Sequence, residues 1–299
     1  MKKLMIIMGT VGVSFSAIFV RSSSAPSMVL VFYRVMFATL MLLPFVLLRF
    51  RKEIMALTIK TLLLPMISGI FLGLHFTMYF ESLRYTAIAS ALILVDTEVF
   101  FLAAAMIFIM NEKITYKAWM GIIATFIGSI IVAATDMGSG SNRILGDLMA
   151  FSGAAFMAVY TLLGKQCRKV MSTTVYTFLV YASSTITLIL MTQMKKIPLT
   201  GYENKNLLIG FGLAAICTLC GHSVYSWGLK YEKASFIATA KLLEPVFASV
   251  LGLIIFAEIP SLLVVLGGVI VMVGIYYYSR NSELPSKAQI TQEKEKTYL

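Results

Sequence analysis

The chain has 299 residues, of which 59% are hydrophobic and only 13% are charged, and its mean hydropathy is +0.87. Soluble domains carry about 25% charged residues, so this composition excludes an ordinary soluble protein. The net charge of +11 could suggest nucleic acid, but the 25 Lys and Arg residues fall mostly in short breaks between apolar segments. We therefore expect no nucleic acid partner and interpret the basic residues as topology signals.

Ten apolar segments follow one another along the chain. A helix of about 20 residues crosses the ~30 Å hydrocarbon layer of a lipid bilayer, and only helices satisfy every backbone polar group over such lengths. The predicted spans are residues 4–20, 28–48, 61–80, 86–110, 116–135, 146–164, 174–192, 207–229, 234–257 and 259–278. The sequence thus predicts an all-α integral membrane protein with ten transmembrane helices.

The basic residues predict the orientation of these helices. Lys2 and Lys3 precede the first span as in a signal peptide, but no A-x-A-like cleavage site follows, so we expect this helix to be retained. Most Lys and Arg residues then fall on the same side of the membrane as the N-terminus. Cytoplasmic loops carry this excess, which predicts a multi-pass cell (inner) membrane protein with both termini in the cytoplasm. The polar residues 279–299 are predicted to form a disordered cytoplasmic tail.

Cysteines and nucleotide motifs offer no support for a cofactor. Cys217 and Cys220 form a C-x-x-C inside one apolar span, without a second pair of ligands, so small packing residues are favoured over a metal site. The sequence has no ATP-binding loop, nucleophile elbow or H-E-x-x-H motif. We therefore expect neither a cofactor, a metal nor an enzyme.

An internal repeat relates the two halves at a constant offset of 146 residues. The matched pairs are Leu83 with Leu229, Arg84 with Lys230, Tyr85 with Tyr231, Glu98 with Glu244, Glu112 with Glu258, Gly121 with Gly267 and Gly128 with Gly274. Five helices per repeat is an odd number, so the second copy must enter the membrane from the opposite side. We expect a first repeat at residues 1–135, a linker at 136–145 and an inverted second repeat at 146–278. Secondary transporters are commonly built in this way, with a substrate site at the repeat interface.

Several ionisable residues fall inside the predicted spans, where each charge costs about 2.5–3.5 kcal/mol on insertion scales unless it is paired, protonated or hydrated. These residues are Arg34, His75, Asp96, Glu98, His222, Lys241 and Glu244. Together they are the candidate substrate-binding or coupling groups.

Lys241 and Glu244 are three residues apart, so on a continuous helix they would share a face and form an ion pair. Pro245 follows and predicts a kink, because proline removes a backbone hydrogen bond. Such an interrupted helix is typical of transporter sites. The alternative is a pair that only fixes helix packing.

Asp96 and Glu98 are two residues apart, so on one helix they would point in different directions. We expect Glu98 to face the cavity and Asp96 to face a neighbouring helix, with Arg34 as a partner for either acid. Two carboxylates near a twofold axis could repel each other enough for one to hold a proton near neutrality, which would suit proton-coupled exchange. A protonated carboxyl that only joins two helices is the open alternative.

Aromatic and histidine residues could complete a substrate cavity. His75 and His222 lie one residue away from the repeat register, whereas Tyr79 and Tyr225 match it. Together with Trp227, they could form its walls. For each of them, helix packing or a position at the membrane interface is the alternative.

The segment Lys-Leu-Leu-Glu-Pro-Val-Phe-Ala-Ser-Val-Leu-Gly at 241–252 and the ten-helix repeat pattern resemble the EamA-type transporters of the drug/metabolite transporter (DMT) superfamily. The segments at 73–86 and 221–231 are similar to a bacterial branch of that family. The resemblance implies secondary transport, often export, of amino acids, other metabolites or drugs. Asp-Thr-Glu-Val at 96–99 replaces a stretch that usually carries a proline and fewer acids, which favours a cationic or zwitterionic substrate or proton coupling.

The leading hypothesis is a monomeric or homodimeric exporter of a small polar metabolite that works by alternating access, with protons as a candidate coupling ion. Import of a metabolite by the same fold is one alternative. A membrane sensor or assembly subunit that transports nothing is another.

Overall fold

The computed structural model of the protein describes residues 1–82, 84–86, 88–109, 114–133, 142–257 and 259–281. Every regular element in these ranges is a helix. The helices are α1 Lys2–Arg21, α2 Ser27–Arg49, α3 Arg51–Met55, α4 Ile59–Ser82, α5 Ile88–Asp96, α6 Glu98–Phe108, α7 Tyr116–Ala133, α8 Arg143–Cys167, α9 Thr173–Met194, α10 Asn204–Gly212, α11 Ser223–Gly228, α12 Ala234–Lys241, α13 Glu244–Phe256 and α14 Leu262–Asn281. A π-helical segment, Leu213–His222, joins α10 to α11.

Eight helical segments in the described part of the chain are long and apolar enough to cross a membrane. This confirms an all-helical, multi-pass architecture, but it does not establish ten spans. The fourth predicted span, 86–110, is divided at Thr97 into α5 and α6, which have 9 and 11 residues. The fifth is α7, whose apolar segment Tyr116–Ile131 is shorter than the other spans.

Some expectations fall partly or wholly outside the described residues. They concern linker residues 136–141, tail residues 282–299, and the positions Leu83, Glu112 and Glu258. The predicted tail begins too early, because α14 continues to Asn281. The side-chain amide of Asn281 donates to the carbonyl of Tyr277 at 2.8 Å, and the Thr115 hydroxyl donates to the carbonyl of Asn281 at 2.7 Å. These bonds help to satisfy the polar groups of the last helical turn.

The two halves pack with a reciprocal pattern of helix contacts. Helix α4 packs on α8 in one contact, and α1 packs on the π-helical segment in another. The two contacts are equivalent, because α1 is the counterpart of α8 and the π-helical segment lies in the counterpart of α4. Two pairs of counterpart helices also meet directly: α2 packs on α9, and α7 packs on α14. Helix α6 packs on α12, which is the counterpart of α5. This pattern is expected of two repeats related by a twofold axis.

Repeat-matched glycines bring α7 and α14 into backbone contact. A β-carbon on Gly128 would lie 2.8 Å from the carbonyl oxygen of Gly267, and one on Gly274 would lie 3.0 Å from the carbonyl oxygen of Gly121. Gly267 is the counterpart of Gly121, and Gly274 is the counterpart of Gly128. The earlier glycine of each helix therefore contacts the later glycine of the other, which requires the two helices to run antiparallel. Small residues commonly allow such close crossings in membranes.

The apolar core consists of two main clusters, and Phe76 and Tyr225 are the residues that connect them to the candidate site. Phe76 belongs to the cluster built mainly by α2, α4, α8 and α9. Tyr225 belongs to the cluster built mainly by α6, α12 and α14. The intramembrane charges contact side chains of both clusters.

Candidate functional site

Two helix interruptions occur at equivalent positions of the two repeats. In the first, α5 ends at Asp96 and α6 begins at Glu98. In the second, α12 ends at Lys241 and α13 begins at Glu244. The two glutamates that match at the 146-residue offset are thus each the first residue of a half-helix. The free backbone N–H groups and the dipole at such a helix start favour a negative side chain.

Glu98 forms an ion pair that joins the two repeats. Its carboxylate oxygens lie 3.0 and 3.2 Å from Nζ of Lys241, and the Thr161 hydroxyl donates to Oε1 at 3.0 Å. The Glu98 side chain is 6% exposed and that of Lys241 is 12% exposed. Charge-assisted bonds of this kind are roughly twice as strong as neutral ones. Because Lys241 ends α12, its charge also complements the negative end of that half-helix.

The predicted ion pair between Lys241 and Glu244 is not formed. Their spacing of three residues would place them on one face only if the helix were continuous, but α12 and α13 are separated by Leu242 and Leu243. Of the described residues, none hydrogen-bonds or ion-pairs with the Glu244 carboxylate. The hydroxyl of Ser14 donates to its backbone carbonyl at 3.2 Å. Pro245, the predicted kink, is in the first turn of α13, just after the interruption.

Arg34 does not pair with either glutamate. Its Nε donates to the Thr218 hydroxyl at 2.7 Å, and its guanidinium lies over the Phe76 ring, 5.2 Å from the centroid. The side chain is buried, with 4% exposure. None of the described carboxylates forms an ion pair with it. Arg34 therefore places a positive charge against an aromatic ring.

Five rings from both repeats form a continuous row, which we call the aromatic belt. Its members are Tyr79, His75, Phe76, His222 and Tyr225. Neighbouring ring centroids are between 5.2 and 6.2 Å apart. Nζ of Lys241 lies 5.5 Å from the Tyr225 centroid, at the opposite end of the belt from Tyr79.

The two histidines of the aromatic belt differ in their hydrogen bonds. Nδ1 of His75 lies 2.9 Å from the carbonyl oxygen of Gly153, which joins α4 to α8. His222 is 7% exposed, and no hydrogen bond from the described residues reaches its ring nitrogens. His75 therefore has a partner for one nitrogen, whereas His222 is held by ring contacts alone.

Asp96 and Trp227 contact residues outside this row of rings. Asp96 faces α7, where the Ser129 hydroxyl donates to its carboxylate at 2.9 Å. Trp227 packs against Tyr231, with ring centroids 4.9 Å apart. Nζ of Lys2 lies over the Tyr231 ring, 4.4 Å from its centroid. The structure therefore places Trp227 near the end of its helix, close to the chain's N-terminus, and not among the intramembrane charges.

Sequence reasoning missed Thr161 and Thr218, the hydroxyl partners of Glu98 and Arg34. Both lie on apolar helices where threonine is not unusual. At the repeat offset, Thr161 is matched by Phe15. This difference between a hydroxyl and an aromatic ring is the one sequence signal that could have identified Thr161 as a site residue.

These helices and their interruptions define a multi-pass membrane protein built from two repeats, with charged groups at broken helices as in secondary transporters. A family model described as the EamA-like transporter family matches residues 2–134 and again residues 144–280. The chain belongs to this family. It is therefore a membrane transporter and not an enzyme.

Curated relatives support this assignment. The chain is 26% identical over 208 residues to an uncharacterized transporter of Clostridium kluyveri, covering 68% of this chain and 67% of that one. It is 23% identical over 265 residues to the pseudopaline exporter CntI of Pseudomonas aeruginosa, covering 88% and 89%. A crystal structure of a protein with 15% identity superposes with a TM-score of 0.78, covering 94% of this chain and 98% of the other, which shows a shared fold.

Proposed function

We propose that the protein is a secondary active transporter that exports a small polar metabolite by alternating access. The proposal rests on the two helix interruptions, after which α6 begins at Glu98 and α13 begins at Glu244. Beside them, the ion pair between Glu98 and Lys241 joins the two repeats. In secondary transporters, the ends of broken helices bind the substrate and the coupling ions. The ion pair joins the two repeats at the interface about which alternating access moves them.

The charge balance of the site supports a cationic or zwitterionic substrate. The intramembrane groups of the interrupted helices and of α2 include three acids, Asp96, Glu98 and Glu244, and two bases, Arg34 and Lys241. If all five groups were ionised, the site would carry one net negative charge. A cationic group of the substrate would cancel that charge, and the rings of the aromatic belt could contact both a cation and an apolar body.

Protons are our candidate coupling ion. An ionised carboxylate without a partner costs about 2.5–3.5 kcal/mol inside a membrane on insertion scales. Either a bound proton or a cationic substrate would neutralise the carboxylate and remove this cost. Glu244 could therefore exchange protons for substrate. We further propose export across the cell membrane with both termini cytoplasmic, by a monomer or homodimer. The naming of one relative as an exporter supports the outward direction.

The first test compares metabolites in cells and medium after overexpression of the wild type and of Glu244→Gln at equal membrane levels. We expect one or more compounds to accumulate in the medium with the wild type and to fall to background with Glu244→Gln. Glu203→Gln is the matched control, because Glu203 is exposed in a loop and is expected to behave as wild type. If no compound differs between the wild type and an empty vector, export is rejected. Accumulation inside the cells would instead establish import.

Coupling is tested in everted membrane vesicles loaded by an imposed pH gradient. Uptake of the exported compound should stop when a protonophore collapses the gradient. Uptake that is unchanged by the protonophore would reject proton coupling and leave the transport function intact.

A further inference from the structure

Glu98 and Glu244 are equivalent in the repeat, but their surroundings are not. Glu98 accepts bonds from Lys241 and Thr161. At the 146-residue offset, the counterpart of Lys241 is Val95 and the counterpart of Thr161 is Phe15. The positions that could supply equivalent donors to Glu244 therefore carry apolar side chains.

This difference is encoded in the sequence and is not a property of one conformation alone. When the two repeats exchange their conformations during alternating access, Glu244 takes the place of Glu98 in the geometry, but Val95 and Phe15 cannot donate to it. Glu244 therefore lacks these two donors in either arrangement. Glu98, in contrast, has two donors close at hand.

A second group without a hydrogen-bond partner among the described residues lies in the aromatic belt. His222 is 7% exposed, and none of the described residues hydrogen-bonds its ring nitrogens, although its ring contacts Tyr225 edge-on at 5.8 Å. Tyr225 in turn lies under Lys241. Among the described residues, the fully buried side-chain atoms without a partner are Ser16 Oγ and Ser184 Oγ. The polar side-chain atoms of His222 and Glu244 are not among them, so they remain accessible to a ligand from outside the chain.

We infer that the two duplicated glutamates have divided their roles: Glu98 is a locked carboxylate that holds the repeats together, and Glu244 alone binds an ammonium group of the transported compound. This inference rests on the proposed function, since it specifies the charged group that the transport site recognises. The physical reason is competition. A cation that binds Glu98 must first displace two donors, whereas a cation that binds Glu244 displaces none.

The test uses a hydrophobic carbodiimide, which reacts with accessible protonated carboxyl groups within membranes. The full chain is reconstituted in lipid vesicles, treated with dicyclohexylcarbodiimide, and digested for mass spectrometry of the modified residues. We expect Glu244 to be modified at least about tenfold faster than Glu98, a ratio that corresponds to about 1.4 kcal/mol. Equal rates, or no modification of Glu244, would overturn the inference.

Two variants exchange the environments of the glutamates. Thr161→Val removes one donor from Glu98 while leaving its ion pair, and it should raise the modification rate of Glu98. Val95→Lys places an amine at the counterpart of Lys241, and it should suppress modification of Glu244. Unchanged rates in both variants, with folded protein confirmed by gel filtration, would show that these neighbours do not control the two carboxyl groups.

The ligand class is tested by protection with three probes that share a phenyl ring. Phenethylammonium and phenylalanine carry an ammonium group, whereas phenylacetate carries only a carboxylate. The two ammonium compounds should slow modification of Glu244 severalfold, and phenylacetate should not. Protection by phenylacetate as strong as that by phenethylammonium, or no protection by any probe, would overturn the ammonium assignment.

None of these measurements requires transport, so the two proposals can fail separately. Vesicles that move no compound but show selective, protectable modification of Glu244 would reject the proposed function alone. Vesicles that transport but modify both glutamates equally would reject only the division of roles.

Discussion

Phe76 and His222 are equivalent residues of the two repeats, 146 positions apart, and their rings meet edge to face with centroids 6.0 Å apart. Two equivalent residues can touch only if both lie beside the axis that relates the repeats. The centre of the aromatic belt is therefore the centre of the molecule's symmetry. Because one ring is apolar and the other is an imidazole, the axis is chemically asymmetric at this point.

The ion pair between Glu98 and Lys241 should behave as a unit. Lys241→Met leaves a buried carboxylate without its cation, and loss of one partner of a buried pair costs about 3–5 kcal/mol. Glu98→Gln combined with Lys241→Met should recover much of that stability, with a coupling energy of about 1–3 kcal/mol. Thermal unfolding in detergent measures the cycle. The control combines Lys241→Met with Glu244→Gln, where we expect near additivity, and coupling there as large as with Glu98 would contradict the observed pairing.

The glycine contact between α7 and α14 should tolerate no larger side chain. A β-carbon on Gly274 would approach the backbone nitrogen of Thr125 to 2.7 Å, so Gly274→Leu must separate the helices. Overpacking of this kind costs about 1–3 kcal/mol or more. We expect a lower melting temperature and less protein in the membrane. Gly153→Ala is the control, because the nearest atom to its β-carbon would be 3.5 Å away; equal losses in both variants would argue against a specific contact.

Arg34 should not be replaceable by lysine. A lysine keeps the charge but cannot reproduce the bond from Nε to Thr218 together with the contact between the planar guanidinium and the Phe76 ring. Hydrogen bonds to charged groups contribute about 1.5–3 kcal/mol, so Arg34→Lys should lower both stability and transport. Thr218→Val removes the same bond from the other side and should lower stability to a similar degree. Wild-type melting of Arg34→Lys would show that charge alone is required.

Trp227 and Phe76 should differ sharply in their effect on transport. Phe76→Leu removes the ring that contacts Arg34 and His222, so we expect a severalfold loss of transport at equal expression. Trp227→Leu removes a ring that contacts Tyr231 away from the charged groups, and it should cost about 0.5–1.5 kcal/mol of stability without a comparable loss of transport. Export assays measure the transport rates of the two variants, normalised to the amount of protein in the membrane. A stronger transport defect in Trp227→Leu would refute this placement.

The orientation can be tested by cysteine labelling in a background in which Cys167, Cys217 and Cys220 are replaced by alanine. Glu203→Cys and Lys169→Cys lie at exposed positions in loops on either side of α9. With cytoplasmic termini, Glu203→Cys should react with an impermeant maleimide in intact cells, and Lys169→Cys should react only after permeabilisation. The reverse pattern would invert the topology.

The periodic and compositional features of the fold are those that the sequence predicts well. Apolar length predicted the helices, and the offset of 146 residues predicted that Gly121 and Gly128 have counterparts, which the α7–α14 contact makes visible. Helix interruptions are harder to predict. Pro245 indicates one of them, but nothing in Asp-Thr-Glu at 96–98 departs from helical periodicity, so the sequence predicts a single helix for the fourth span.

The partners within the site could not be derived from spacing alone. Lys241 pairs with a residue 143 positions away, Glu98, and not with Glu244 at three positions, because local spacing is informative only along an unbroken helix. Arg34 was expected to pair with an acid and instead bonds a threonine on a helix of the other repeat. Such long-range choices depend on how helices cross, which a periodic pattern does not specify.

The interruptions at Thr97 and at Leu242–Leu243 have one further consequence. At each of them a tight turn replaces part of the regular helix: the N–H of Thr97 donates to the carbonyl of Leu94, and those of Leu242 and Leu243 donate to the carbonyls of Thr239 and Ala240. Short stretches of such tighter turns within a helix often mark a hinge. Each of these two broken spans therefore has a defined point at which its two halves can change their tilt.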